Sequence, residues 1–563
     1  DTPISYYAHA SAGCLHIRPL LNTRSAADLA KMPDIAAVAA GLVKGYGGAL
    51  SSEHGDGRTR TWLNEAFYGP ELYGLFRQVK RLFDPHNLLN PGVIVDGRPM
   101  TDSLRALPTV ADRSRLDFSD YEGDGTSIIR ITIPETPTTT TTPYGFIRAI
   151  EMCNGAGICR QRIRGTMCPS FMVTREEEHS TRGRANALRA ALSGVLPVEE
   201  LTSPRMYAVM DLCVSCKACK AECPSAVDMA RLKAEFLARY YEVHGTPLRA
   251  RLFGHVAALN RLGGDWRAPL TNRLLRARGA RRLMGLATER ALPVVARQSF
   301  MRWWAKRSRG AGEPGSRGDV VALVIDAFTN YNCPEVGIAA VEVLEAAGWA
   351  VEAVAVDEGR AFFSKGLVAE ARRAAERTLR ALAPHAEAGR SLVGLEPSSL
   401  LMLRDEYLYL LPGDPHAALV ARQALTFEEF IDGLAAAGEL RLSFTGEPRR
   451  VLLHGHCHQK ALVGTEPARR VLGLPPGYAV EEVDSGCCGM AGSFGYEAEH
   501  YDISLRMAER RLLPAVRAAA PETIIVAAGV SCRQQIAHGS GRAALHPAEV
   551  LRQALAIPQE AIH

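Results

Sequence analysis

The chain has 563 residues, too many for one hydrophobic core, so three or four domains are expected. Apolar residues make up 47% and charged residues 23%, an ordinary globular balance, and a net charge of +5 gives no case for nucleic-acid binding. No apolar run approaches the ~18–20 residues that span a bilayer, no signal segment opens the sequence, and thirteen cysteines, many at metal-binding spacings, point to a reducing, cytoplasmic setting.

Residues 1–95 form the first predicted domain, opening in a strand-like apolar and aromatic run that ends at His9. In Leu15-His16-Ile17-Arg18 polar and apolar side chains alternate. That places His16 and Arg18 on one strand face and turns Leu15 and Ile17 toward a core. Gly13 permits a turn that brings His9 and His16 above the same surface. With Glu53 they would make a two-histidine, one-carboxylate set suited to zinc or a similar divalent ion with an open position. His54 is then free to take a proton, although each histidine read singly is equally compatible with a structural role. Gly45-Tyr46-Gly47-Gly48 is not a dinucleotide loop, because it leads into Glu53-His54 and not into a phosphate-cradling helix.

These motifs, with Phe83-Asp84-Pro85 and Leu89-Asn90-Pro91-Gly92, resemble the carboxy-terminal half of FAD-linked oxidases of the vanillyl-alcohol-oxidase type. The D-2-hydroxy-acid dehydrogenases (D-lactate, glycolate, D-2-hydroxyglutarate) are the branch they look most like. The resemblance implies His9, His16 and Glu53 as metal ligands, His54 as the base for the substrate hydroxyl, and Asn90 and Pro91 as flavin contacts. Two departures stand out: Ser11-Ala12-Gly13-Cys14 replaces the family's Gly-Asp-Gly-Asn, and Arg18 replaces a polar residue. Arg18 suits a bidentate clamp on a substrate carboxylate, or a surface ion pair. In the family the flavin pyrophosphate domain and a carboxylate-binding arginine precede this segment. The expectation is therefore a fragment, a truncated gene, or one piece of a split system with a separate flavin-binding chain.

Residues 96–145 read as a linker, ending in the low-complexity stretch Pro134 to Pro143, an extended tether. Residues 146–245 carry Cys213-x2-Cys216-x2-Cys219-x3-Cys223-Pro224, the ferredoxin run in which the fourth cysteine serves a second cluster. A structural zinc site is the alternative, but zinc knuckles come as separated Cys-x2-Cys pairs. Upstream lie Cys153, Cys159 and Cys168-Pro169, with Ala156 where a complete first run would have cysteine. The crossover rule groups Cys168 with Cys213, Cys216 and Cys219, and Cys223 with Cys153 and Cys159, one thiolate short. A three-iron cluster, a four-iron cluster with a non-cysteine ligand, and no first cluster all stay open. A helix is predicted to start near Ser180, and Asp228 to cap another bearing Leu232, Phe236, Leu237 and Tyr240. The region resembles the helical ferredoxin-like domains of fumarate reductases and glycolate oxidase iron–sulfur subunits.

Residues 246–317 are an arginine-rich helical connector opposed only by Asp265, Glu289 and Glu313. It reads either as an interfacial surface for an anionic membrane or acidic partner, or as solvated helix faces with a basic loop. Residues 318–445 and 446–563 are two predicted α/β units. The first has a buried strand over 319–326, Cys333-Pro334, a helix over 335–347 and a strand over 351–356. The second runs from Arg450 through His454-Gly455-His456-Cys457-His458 and Cys487-Cys488-Gly489 to Cys532. This unit resembles the cysteine-rich CCG domain of heterodisulfide reductase and glycolate oxidase iron–sulfur subunits. The resemblance implies Cys457, Cys487, Cys488 and Cys532 as four ligands of a further cluster or a zinc. The family's closing Cys-x2-Cys is reduced to Cys532-Arg533-Gln534-Gln535, and the first unit keeps Cys333 but has Glu396-Pro397-Ser398-Ser399 where a cysteine is expected. The three neighbouring histidines suit a ligand or proton role, or a structural one.

The expected architecture is multidomain, α+β and α/β: an FAD-oxidase cap, a helical [4Fe–4S] domain and two CCG-type units. The whole chain resembles fused D-2-hydroxy-acid dehydrogenases. That implies a small 2-hydroxy-acid substrate, FAD, one to three [4Fe–4S] clusters, a divalent metal such as zinc, and a quinone or electron-transfer protein as acceptor, with a peripheral position on the inner membrane face also open. The competing expectations are an electron-transfer subunit without its own catalytic flavin and a zinc-stapled scaffold without redox function.

Overall fold

Two short strands pair because Gly13, at φ +62°, reverses the chain tightly between them. Strands β1 (Ile4–His9) and β2 (Cys14–Pro19) run antiparallel, with His9 opposite Cys14 and Tyr7 opposite His16. In this computed structural model the described residues are 2–23, 25–51, 53–102, 104, 114–121, 145–310 and 319–556; the tether at 134–143 and Glu313 lie outside them. The hairpin belongs to a first unit built chiefly on residues 1–109, which also contains helices Ala26–Gly45 and Pro70–Phe83. Asp84 closes the second helix: its carboxylate accepts Leu88 N and Leu89 N at 2.8 Å and pairs with Lys80 Nζ at 2.5 Å. One expectation fails here. Leu15 and Ile17 are 60% and 55% exposed, so among the described residues the strand's apolar face has no core beneath it. A two-stranded ribbon supplies no layer of its own to cover such a face.

A second unit holds most described residues from 114 onward. Its helical part centres on Met229–His244, started by Asp228, whose carboxylate accepts Arg231 N at 3.1 Å. Leu232, Phe236 and Leu237 are buried along it, each contributing about 1.5–3 kcal/mol. Glu235 is also fully buried, a charge tolerated because it accepts Leu116 N at 2.9 Å and pairs with Arg239 at 2.7 Å. Tyr240 lies partly buried against this core.

The remainder is two parallel sheets. β3 (Val320–Ile325), β4 (Ala350–Ala355), β5 (Leu392–Gly394) and β6 (Ala424–Thr426) are ordered β4-β3-β5-β6. β7 (Arg449–Leu453), β8 (Tyr478–Glu482) and β9 (Ile524–Val526) are ordered β8-β7-β9. Parallel pairing requires long crossovers, and helix Pro334–Ala346 supplies the one from β3 to β4. Helices cover both faces of β3, which explains its uninterrupted Val-Val-Ala-Leu-Val-Ile sequence. Helix Pro334–Ala346 also packs on Pro547–Ala554, joining the two sheets through their helical layers. Among the described residues no helix is long and apolar enough to cross a membrane.

Candidate metal centres

In the first unit the hairpin delivers His9 and His16 to one spot, and the loop after the first helix delivers Glu53 and His54. One donor atom from each of the four lies within 4.8 Å of the others. His9 Nδ1 is 2.5 Å from Glu53 Oε1, and His54 Nε2 is 3.6 Å from the same oxygen. His16 Nε2 is shielded from solvent without a protein partner, and the ring stacks on Tyr7 at 4.4 Å. Its pKa is lowered, by burial first and then by His9 and His54, so the lone pair is available near neutrality. Three imidazoles and a carboxylate fit a divalent ion of the zinc type, and the orphaned His16 nitrogen is the atom such an ion would satisfy. Arg18 donates to Tyr7 Oη at 2.5 Å and lies over its ring. Asn90 and Pro91 are exposed on a turn with Asn90 at φ +50°.

In the second unit Cys168, Cys213, Cys216 and Cys219 are all buried and electrostatically coupled. Burial pushes the Cys216 thiol well above its usual range, and Cys457, Cys219 and Cys168 push it further. Cys219 is raised by burial, Asp228, Cys213 and Cys168. Cys159 is raised by burial and neighbours Cys168 and Cys153, while Arg182 N donates to its sulfur at 3.4 Å. Cys223 is only half-buried. Thiols packed this way resist ionising unless cations bind them. Fully buried Arg184 donates to Cys168 Sγ at 3.5 Å and Ser170 Oγ at 3.0 Å, and among the described residues no carboxylate pairs with it. A buried guanidinium needs an anion; a thiolate-ligated cluster supplies one.

A second thiol group follows β7. Cys487 contacts Cys457 and Cys488, and Cys488 contacts Cys532 and His454. Donor atoms of His454, Cys488 and Cys532 lie within 4.8 Å of one another. Hydrogen bonds from Cys487 and Cys532 hold the Cys488 thiol well below its ordinary value, with the His454 ring close by. His454 Nδ1 is 2.8 Å from Ser485 Oγ, which leaves its Nε2 buried without a hydrogen-bond partner. Four thiols and one imidazole fit either a cluster or zinc. Gly529 is obligatory beside this group, since a Cβ there would meet the His456 ring at 2.5 Å. The two thiol groups adjoin: His458 Nε2 lies 3.1 Å from Ser215 O, inside the four-cysteine run. His456, lowered to about 4 by burial, stays neutral and caps the helix that begins at Cys457.

Sequence reasoning missed Arg290. It is 1% exposed, donates to Gln535 Oε1 and, at 2.9 Å, to Met490 Sδ, and keeps Nε and Nη2 without partners. Gln535 in turn donates to Cys488 O at 2.9 Å. The position where the closing Cys-x2-Cys would have its second cysteine thus anchors a cation beside Cys488. The signal was there, an amide replacing a thiol, but its partner lies 245 residues away.

Residues 1–94 match the C-terminal domain of the FAD-linked oxidases, and residues 149–227 match the 4Fe-4S dicluster domain. FAD and 4Fe–4S clusters are the cofactors these two domains bring. The chain is 28% identical over 592 residues to a D-2-hydroxyglutarate dehydrogenase of Escherichia coli K12, covering 97% of this chain and 55% of that protein. It is 24% identical over 439 residues to the E. coli glycolate oxidase iron-sulfur subunit, covering 72% and 94% respectively. A D-lactate dehydrogenase of Archaeoglobus fulgidus is 40% identical over 93 residues, 16% of this chain and 19% of that one. The chain spans about half the length, 55%, of the D-2-hydroxyglutarate dehydrogenase it matches.

Proposed function

We propose that this protein is an iron–sulfur flavoprotein oxidoreductase that oxidises a D-2-hydroxy acid and passes the electrons to a quinone or an electron-transfer protein. D-2-hydroxyglutarate is the first candidate substrate, on the similarity to dehydrogenases of that name over 97% of the chain; D-lactate and glycolate follow. The observation that carries the reading is the convergence of His9, His16, Glu53 and His54 within 4.8 Å. In this reading His9, His16 and Glu53 hold a divalent ion, zinc first. Bound there, the ion would supply Lewis-acid lowering of a hydroxyl pKa, FAD a two-electron acceptor and the clusters a one-electron path. His54 takes the hydroxyl proton at Nε2, and Glu53, 3.6 Å away, stabilises the imidazolium. Arg18, aligned on Tyr7, orients the substrate carboxylate. Asn90 and Pro91 line the flavin.

Cys168, Cys213, Cys216 and Cys219 hold one 4Fe–4S cluster; Cys153, Cys159 and Cys223 contribute to a second; Cys457, Cys487, Cys488 and Cys532 form a CCG-type site. The domain divisions given above belong to the same proposal. The test uses anaerobically purified protein reconstituted with a flavin-binding chain of the family, FAD and zinc, and supplied with a D-2-hydroxy acid and a one-electron dye. Turnover with the D enantiomer and a loss of at least ~100-fold in His54→Gln, with zinc still bound, is the expected result. Unchanged turnover in His54→Gln refutes the assignment. A second reading, an electron-transfer subunit, is favoured by the glycolate oxidase iron-sulfur subunit, 94% of whose length is matched. It predicts no turnover alone but cluster reduction by a separate flavoprotein.

A further inference from the structure

We propose that the arginine-rich helices between residues 256 and 283 form a docking surface for an anionic phospholipid bilayer. Helices Val256–Gly263, Ala268–Arg276 and Arg278–Leu283 follow one another with only short turns, and consecutive ones pack together. Their outward side chains are large and apolar. Trp266 is 74% exposed and Leu283 90%, with Leu259, Leu262, Leu270 and Leu274 also exposed. Trp266, Leu270 and Leu274 recur at intervals of four, which sets them in one stripe. The stripe is fixed outward by the polar residues behind it. Asn272 exchanges hydrogen bonds with both the N–H and the carbonyl of Val295 at 2.9 Å, Thr271 Oγ1 donates to Gly263 O at 2.8 Å, and Ala268 is fully buried.

Charge decides what covers this face. Arg261, Arg267, Arg273, Arg276, Arg278 and Arg282 are exposed among the leucines, and among the described residues none pairs with a carboxylate. Residues 246–297 contain no lysine and only two acids, Asp265 and Glu289. The Asp265 carboxylate is already engaged by Ser299 N at 2.8 Å. Isolated exposed leucines are ordinary, but a run of this kind on successive helices marks an interaction surface. Guanidinium groups bind phosphate oxygens bidentately while their stems lie on apolar neighbours. Apolar tips spread over three short helices, with cations between them, match a fluid sheet of anionic headgroups better than the single continuous groove a protein partner offers. Short amphipathic helices of this kind lie in the plane of the headgroups, with their apolar tips at the acyl boundary.

The experiment is co-sedimentation of the full chain with vesicles, and it needs no turnover, so its failure is separate from failure of the catalytic reading. Vesicles of phosphatidylcholine with about 30% phosphatidylglycerol should sediment the protein at low salt and release it as salt rises, whereas pure phosphatidylcholine should not. Leu270→Gln with Leu274→Gln, and separately Arg273→Gln with Arg276→Gln, should each weaken binding roughly tenfold or more. Brominated lipid should quench emission of the unsubstituted protein, and Trp266→Phe should remove that quenching, a readout independent of the multiple variants. Absence of binding to the anionic vesicles, binding unchanged in both double variants, or capture by an acidic protein without vesicle binding would each overturn the proposal.

Discussion

Replacing Lys217 with methionine removes one charge from the middle of the four-cysteine run. Its ammonium is fully buried, 2.6 Å from Glu406 Oε1 and hydrogen-bonded to Asp405. The Glu406 contact lies off the hydrogen-bond axis, so charge attraction rather than directional bonding holds it. Breaking a buried pair by deleting one partner costs about 3–5 kcal/mol, because the survivor keeps a desolvated charge. Here neither survivor is abandoned: Asp405 keeps Lys220 at 2.5 Å and Glu406 keeps Arg360 at 2.6 Å. The loss therefore falls at the low end, about 3 kcal/mol, which is roughly a 150-fold change in the opening equilibrium. A chain of several domains has no single unfolding free energy, so the assay is hydrogen exchange read peptide by peptide over 213–223 and 397–410. Protection there should fall by about two orders of magnitude, and adding Glu406→Gln should not restore it, because that change leaves the buried Arg360 guanidinium without its carboxylate. Protection within about twofold of the parent would refute the reasoning, since that is under ~0.5 kcal/mol.

Three further outcomes follow from the same geometry. His16→Ala should weaken zinc binding by at least ~10-fold in calorimetry, while in the parent protein the lowered His16 pKa keeps this ligand deprotonated to below its ordinary 6.5. Arg290→Gln removes a buried cation beside Cys488. In a redox titration it should lower the potential of that site by roughly 59 mV, a tenfold shift for one electron, with unchanged metal content. His500 bridges Asp211 at 2.7 Å and Glu497 at 3.0 Å; burial alone would lower its pKa, but the two carboxylates outweigh burial and raise it. Its stabilisation is thus complete below the unfolded value of 6.5 and lost as pH rises through the higher folded value. The deficit of His500→Gln, read by hydrogen exchange of the peptides around 211 and 497–500 with intrinsic exchange rates divided out, should accordingly shrink between pH 6 and pH 9.

Local sequence carried the parts whose partners lie close in the chain. The His9–Gly13–His16 hairpin needs one left-handed glycine and a period of two, and both are visible in eight residues. The Asp228 cap and the β3 strand are equally local signals. Long-range compensation was not legible. Lys217 meets Asp405 188 residues away, and Arg290 meets Gln535 245 residues away, so nothing in either neighbourhood announces a buried cation. The alternation at Leu15 and Ile17 misled in the opposite direction, because alternation marks two unlike faces and not what covers either one. Likewise the arginine-rich connector left an interfacial surface and solvated helix faces both open in the sequence, and only the fold sets Asn272 and Ala268 inward and the leucines outward.

The most direct measurement is metal analysis of protein purified without oxygen: iron, acid-labile sulfide and zinc per chain, with the electron spin spectrum after dithionite. The buried, mutually neighbouring thiols of Cys168, Cys213, Cys216 and Cys219, with Arg184 donating to Cys168 and having no carboxylate partner among the described residues, predict a brown protein with at least about four iron and four sulfide per chain and a reducible cubane signal. Colourless protein containing zinc alone at these thiols, silent after reduction, would contradict the account.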